Sequence, residues 1–173
     1  MQQKGMTIWL TGLPASGKTT IAKALVAELE QQGRRVELID GDAFRKLAGW
    51  KLGFSRDDRN ANVRAIGGLA AMMTWDGAIC IVACISPYRD IRHEVRELIG
   101  ADLFRLVYVK CPLKECERRD PKGLYAKARA GKITGMTGLD DPYEEPEHPD
   151  LCVETGEQSL GVCVEKIKGY LRL

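Results

Sequence analysis

The chain has 173 residues, 45% hydrophobic and 29% charged, with a net charge of +2. That is enough for one domain whose core needs no disulfides, and so small a net charge does not by itself suggest a polyanion surface, so nucleic acid is not an expected partner. No apolar run approaches a membrane span, and the six cysteines, at 80, 84, 111, 116, 152 and 163 with no CxxC pair, read as buried thiols of a reducing compartment rather than as a zinc site or a disulfide framework.

The N-terminus "MQQKGMTIWLTG" passes straight into a strand pattern over 6–12, without the charged, apolar and cleavage regions of a signal peptide, which makes the cytoplasm the expected location. There follows "GLPASGKTT", residues Gly12, Leu13, Pro14, Ala15, Ser16, Gly17, Lys18, Thr19 and Thr20, matching G-x-x-x-x-G-K-[ST] between a strand and a helix. Glycines let the backbone curl so that its N–H groups face a phosphate, and the helix N-terminus adds a favourable dipole. Lys18 can reach the outer phosphates of ATP and the Thr19 hydroxyl can ligate Mg²⁺. The plainer reading is a glycine-rich turn, which this context disfavours. In the helix, Ile21, Ala24, Leu25 and Leu29 follow helical spacing and Gly33 supplies the stop. There is no N-K-x-D run for reading guanine and the chain is short for a motor core, so a compact kinase is favoured.

The second strand pattern, 35–42, ends "LIDGDAFR" and brings Asp40 and Asp42 to the carboxyl end of a parallel strand, where α/β proteins bind ligands. One carboxylate can hold Mg²⁺ or its waters, and the other can orient or deprotonate an attacking hydroxyl. A solvated Asp pair in a turn is the weaker reading after such a phosphate loop. "GFSRDDRNANVR" (53–64) opens a helix through the capping box Ser55-x-x-Asp58. Capping does not account for Arg59 and Asn62, which share a helix face, with Arg45 and Phe54 nearby. Arginine forks suit phosphate or sulfate oxygens and a ring suits a purine, so the ligand expected here is an anion carrying a flat base.

The third strand pattern, 78–86, ends at Ser86 and Pro87, facing the same crevice, and Ser86 is expected to cap the helix that follows. That helix, within 88–100, places Ile91, Val95, Leu98 and Ile99 on one side and stops at Gly100. Strand patterns at 104–111 and, weakly, 151–155 complete an α/β fold with a parallel sheet of about five strands flanked by helices. Between them, 118–149 is rich in Gly and Pro, with the short helical pattern "GLYAKARAG". It reads as a mobile lid within a single domain, 1–173.

Taken together, "GLPASGKTT", "DGDAFR", "LGFSRDDRNANVR", "ISPYR", "DPKGLYAKARAG" and "DPYEEP" resemble, in order and spacing and over nearly the whole chain, the adenylylsulfate kinases, small-molecule kinases of the P-loop type. Those enzymes transfer the γ-phosphate of ATP to the 3′-hydroxyl of adenosine 5′-phosphosulfate, giving 3′-phosphoadenylylsulfate and ADP. The resemblance implies that Arg45, Phe54, Arg59, Asn62 and Ile85 hold the acceptor, with Phe54 stacked on its adenine. It implies that Asp42 activates the hydroxyl, that Asp40 or Asp42 lies near Mg²⁺, and that Lys122 closes over the transferred phosphate. Ser86 matches a serine described as a phosphoserine intermediate in some bacterial members; in-line transfer needs no such nucleophile, and orientation of substrate is the expected role. Met136 stands where the family often has a second ring over the acceptor adenine, and Ala65 replaces a second arginine. The family also suggests a homodimer. Trp50 receives no role. The competing functions are another small-molecule kinase of the same fold and a catalytically weak nucleotide-binding partner of a sulfurylase. The pairing of Phe54 with arginines argues against the first and the intact Lys18, Thr19, Asp40, Asp42 and Lys122 against the second.

Overall fold

Each of the five apolar runs becomes a strand. In the computed structural model, which describes residues 3–47 and 53–173, the chain runs β1 (Met6–Thr11), α1 (Lys18–Gln31), β2 (Val36–Asp40), α2 (Gly41–Leu47), α3 (Arg56–Trp75), β3 (Ile79–Ala83), α4 (Arg89–Ile99), β4 (Phe104–Lys110), α5 (Leu113–Arg119), α6 (Leu124–Arg129), β5 (Leu151–Glu154) and α7 (Leu160–Leu171). Trp50 lies outside the described residues. The strands form one parallel sheet in the order β2-β3-β1-β4-β5. β1 is central, paired from Met6 opposite Ile79 to Leu10 opposite Ala83 on one side, and from Thr7 opposite Phe104 to Thr11 opposite Tyr108 on the other. These registers bring Thr11, Asp40, Ala83, Lys110 and Glu154 to one edge of the sheet, the edge at which parallel α/β proteins bind ligands.

Successive strand residues point to opposite faces, and here both faces are covered. Ile8, Leu10, Ile81, Val107 and Val109 pack against Ile21, Leu25 and Leu29 of α1 and Val164 and Ile167 of α7. On the other face Trp9, Cys80, Val82 and Leu106 meet Val63, Ile66 and Ala70 of α3 and Ile91, Val95 and Ile99 of α4. Full burial of such side chains contributes about 1.5–3 kcal/mol each, which is why the runs are continuously apolar. All six cysteines are free thiols, and five are buried.

The caps follow the expected chemistry at α3, where the Ser55 hydroxyl accepts from the Asp58 N–H at 3.2 Å and donates to the Asp58 carboxylate at 2.6 Å. At α4 the expectation fails: its N-cap position is Tyr88, with no side-chain capping bond, and Ser86 lies two residues outside it. Leu98 departs too. It is 43% exposed, because α4 is turned so that Arg92, rather than Leu98, shares the buried face with Ile91, Val95 and Ile99. β2 ends at Asp40, so Asp42 stands in the first turn of α2 rather than on the strand. Helices α2, α5 and α7 had no clear signature in the residue pattern.

Candidate active site

The phosphate loop is shaped by contacts that leave no room for other residues. A Cβ on Gly12 would lie 2.4 Å from the Val109 carbonyl oxygen and 2.8 Å from the Ser16 hydroxyl, and Gly17 enters α1 at φ +99°. The loop is also held from outside. Tyr125, 2% exposed, donates its hydroxyl to the Pro14 carbonyl at 3.0 Å, and Thr155 donates to the Ser16 carbonyl at 2.7 Å. Tyr125 packs with Cys111, Cys116 and Met136 against Leu13 and Ala15. Lys18, the first residue of α1, is buried and donates to the Gly12 and Leu13 carbonyls at 2.9 and 2.7 Å. Burial is the largest influence on its ammonium and brings its pKa down from 10.5 to about 8, against the pull of nearby acidic groups including Asp42.

At the end of β2, Asp40 accepts the Thr19 hydroxyl at 2.7 Å through one oxygen and the N–H groups of Asp42 and Ala43 at 3.0 and 3.1 Å through the other. Partial burial opposes its ionisation, but these bonds outweigh burial and hold the carboxyl below its ordinary range. Asp40 thus links the phosphate loop to α2, whose next residue, Asp42, is ion-paired with Lys122 from the segment between α5 and α6. The pairing raises the Lys122 pKa, the bond to Asp42 being the main cause.

One cavity of about 890 Å³ joins these groups to the opposite wall. Its lining includes Lys18, Thr19, Asp40, Asp42 and Lys122, and also Arg45, Phe54, Arg59, Asn62, Ile85 and Ser86. Most of the predicted donor and acceptor residues therefore face one space, whereas Gly12, Leu13 and Ser16 of the loop and Met136 lie outside its lining. The Met136 side chain lies in the cluster beneath the phosphate loop, 6% exposed and away from the lining, because the apolar gap beside Tyr125 and Cys116 takes it in.

The acceptor wall differs in detail from a set of open forks. Arg59 is buried; it donates to the Phe54 carbonyl and the Thr137 hydroxyl at 2.8 and 2.6 Å and to the Gly135 carbonyl, which leaves at most two of a guanidinium's five N–H donors for a ligand. The Phe54 ring is 65% exposed, with the Arg45 and Arg59 guanidinium groups 4.6 and 5.8 Å from its centroid. Arg45 also bonds the Gly53 carbonyl. Asn62 is buried, and its Oδ1 has no hydrogen-bond partner among the described residues. Ser86 is fully buried, and its hydroxyl accepts from Trp9 Nε1 at 3.0 Å and donates to Thr11 Oγ1 at 3.1 Å. A hydroxyl so engaged is a wall element and not a poised nucleophile.

Sequence reasoning missed Arg119, Tyr125 and Thr155, all of which line the cavity. Arg119 bonds the Thr155 carbonyl, and Thr155 follows directly on β5. The available signal was position: Thr155 stands at the carboxyl end of the fifth strand, as Asp40 does at the second.

With this geometry in view, comparison with known proteins is decisive. A family model described as Adenylylsulphate kinase matches residues 4–154. The chain belongs to the adenylylsulfate kinase family. It is similar to the adenylyl-sulfate kinase of Synechococcus sp. (strain JA-3-3Ab), 49% identical over 172 residues that cover 99% of this chain and 97% of that one. Among solved structures it is similar to the Mycobacterium tuberculosis APS kinase in complex with AMPPNP and APS, with a TM-score of 0.93, 38% identity and 99% of both chains covered. It is also similar to a hexameric APS kinase from Thiobacillus denitrificans, at 33% identity and a TM-score of 0.74, with 99% of this chain and 29% of that one covered. Family membership agrees with a kinase fold of five parallel strands. Among the described residues no helix is long and apolar enough to cross a membrane.

Proposed function

We infer that the chain is an ATP-dependent kinase that phosphorylates the 3′-hydroxyl of adenosine 5′-phosphosulfate. The observation that carries this reading is the single cavity in which a phosphate loop with its lysine faces an aromatic and arginine wall across Asp42. ATP enters with its phosphates in the loop formed by residues 12–20, where inward N–H groups and Lys18 counter their charge. Its nucleoside end is assigned to the side lined by Arg119, Thr155 and Gln158. The acceptor takes the other side, with its base on the exposed Phe54 ring, its anionic end toward Arg45 and the spare donors of Arg59, and Asn62 in the wall beside them.

The reaction forms a bond from the acceptor oxygen to the γ-phosphorus, breaks the bond from that phosphorus to the β–γ bridging oxygen, and passes the hydroxyl proton to Asp42. Lys122 exchanges its contact with Asp42 for the oxygens of the moving phosphoryl group, which frees that carboxylate to act as base. The segment 118–149 acts as the lid that carries Lys122 into place and excludes water. Ser86 and Ile85 orient the acceptor as parts of the wall. Mg²⁺ fits the residues present: the Thr19 hydroxyl and the Asp40 carboxylate are adjacent hard oxygens, with Asp42 nearby. Mg²⁺ keeps waters and substrate phosphates among its ligands, so a hydroxyl and one or two carboxylates are enough to hold it. Bound there, Mg²⁺ would supply charge neutralisation to the β- and γ-phosphates. Self-association as a homodimer is part of this reading, supported by a hexameric relative and by the exposed Met72, Trp75 and Leu98.

The test is ADP release across a panel of acceptors with identification of the product. Adenylylsulfate should be phosphorylated at its 3′-hydroxyl far faster than gluconate, shikimate or nucleosides. Preference for another acceptor, or none at all with ATP bound, would overturn the assignment.

A further inference from the structure

Arg92 is a buried cation to which the mechanism above gives no task. It stands in the first turn of α4, 4% exposed, on the face that carries Ile91, Val95 and Ile99. Its Nη1 donates to the Ser86 carbonyl at 2.6 Å, its Nη2 to the Glu144 carbonyl, and its guanidinium lies 5.8 Å from the Tyr143 ring centroid. Holding a cation in the interior on carbonyls and a ring face costs desolvation that an aliphatic side chain at the same position would avoid.

The two segments it joins both bear on the acceptor. Ile85, Ser86 and Pro87 line the cavity, and Ser86 takes φ +40°, a conformation that residues other than glycine keep only when their surroundings over-determine it. Those surroundings are Trp9 and Thr11 on the Ser86 hydroxyl, Thr11 on the Ile85 carbonyl at 2.7 Å, and Arg92 on the Ser86 carbonyl. On the far side the Glu144 N–H donates to the Pro87 carbonyl at 2.8 Å, and the Tyr143 hydroxyl meets the Thr11 hydroxyl at 3.0 Å. A few residues earlier, the same segment supplies Gly135 and Thr137 to Arg59.

We propose that Arg92 is a positioning residue of the reaction: its planar fork sets the Ile85–Pro87 turn against Tyr143 and Glu144 and so fixes the width of the acceptor subsite. The proposal rests on the acceptor reading given above. A lysine keeps the charge but cannot span two carbonyls in one plane, so Arg92→Lys separates fork from charge, and Arg92→Met removes both.

The experiment is steady-state kinetics of the full chain and both variants, with thermal unfolding and hydrogen exchange of the same samples. In both variants KM for adenylylsulfate should rise about tenfold while KM for ATP stays within about twofold. In a third variant, Arg92→Ala, which leaves room for the small ion, guanidinium but not sodium at equal ionic strength should lower the acceptor KM. In Arg92→Lys the amides of Ser86 and Glu144 should lose protection together while Val82 keeps its own. Unchanged acceptor KM, or an equal loss for both substrates with a lowered unfolding temperature in Arg92→Lys, overturns the proposal. If the unaltered chain fails to phosphorylate adenylylsulfate, the functional reading falls, and hydrogen exchange alone then decides the clamp: joint loss supports it, and retained or independent protection refutes it.

Discussion

Lys18 and Arg59 are both buried cations in the wall of one cavity, yet they are held by different means. Lys18 bonds carbonyls five and six residues away, within the turn that its own sequence motif builds. Arg59 bonds Gly135 and Thr137, more than seventy residues further along the chain. The donor half is thus a local structure docked on a sheet, whereas the acceptor half exists only when the segment around 135–144 has folded back onto α3 and α4. The lysine braces only the loop in which it stands, whereas the arginine ties together parts of the chain far apart in sequence.

Substitutions can break or sharpen this contrast. The largest effect belongs to Lys18→Met, expected to lower kcat at least about 10³-fold in an ADP-release assay, since the loop keeps its N–H groups but loses its charge. A variant keeping a tenth or more of the activity would sink the donor assignment.

The same lysine leaves a signature in stability. Its pKa is about 8 in the folded chain against 10.5 unfolded, so between these values the unfolded state binds more protons and stability rises with pH. The cost of burying the charge is present in full below about pH 8 and is relieved toward pH 10.5, roughly 3 kcal/mol over that window. Urea unfolding of the unaltered chain and of Lys18→Met should therefore converge as the pH rises from 7 to 10. Phosphate binding, which needs the charged form, weakens as the pH passes about 8.

Asp42→Asn comes next, with kcat expected to fall about 10²-fold and ATP affinity by calorimetry unchanged, as for loss of a general base. Arg59→Met should act twice, raising the acceptor KM about tenfold and lowering unfolding free energy by about 2 kcal/mol, since it orphans buried partners as well as a ligand contact. A change in KM without one in stability would show that the bracing role is wrong. Smallest of all is the effect of Lys122→Met on stability, under about 0.5 kcal/mol, because its pair with Asp42 is largely exposed, while turnover falls.

What the residue string discloses follows the same division. The phosphate loop, Asp40 and the Ser55 cap are written in windows of ten residues or fewer, and the five strands in continuous apolar runs, so all were legible. Met136 was misplaced because its environment is assembled from Cys111, Cys116 and Tyr125, three separate stretches. Arg92 looks, in "RDIRHEVRE", like one more solvated helix charge, and only the rotation of α4 buries it and turns Leu98 outward. Thr155 carries no motif at all; the strand before it sets its place. Trp50, for which no role was found, lies outside the described residues.

The central place of β1 has a consequence for how the molecule comes into being. Its first hydrogen-bonded neighbour along the chain, β3, begins at Ile79 and its second, β4, at Phe104. During synthesis the earliest strand must therefore wait, apolar and unpaired, until the chain has reached Ala83 at the end of β3. Such separation between contacting residues slows folding, and it leaves an early edge exposed to wrong pairing. The nucleotide loop at the end of β1 has nothing to rest on before then, so ATP should hasten the last stage of folding and leave the first untouched.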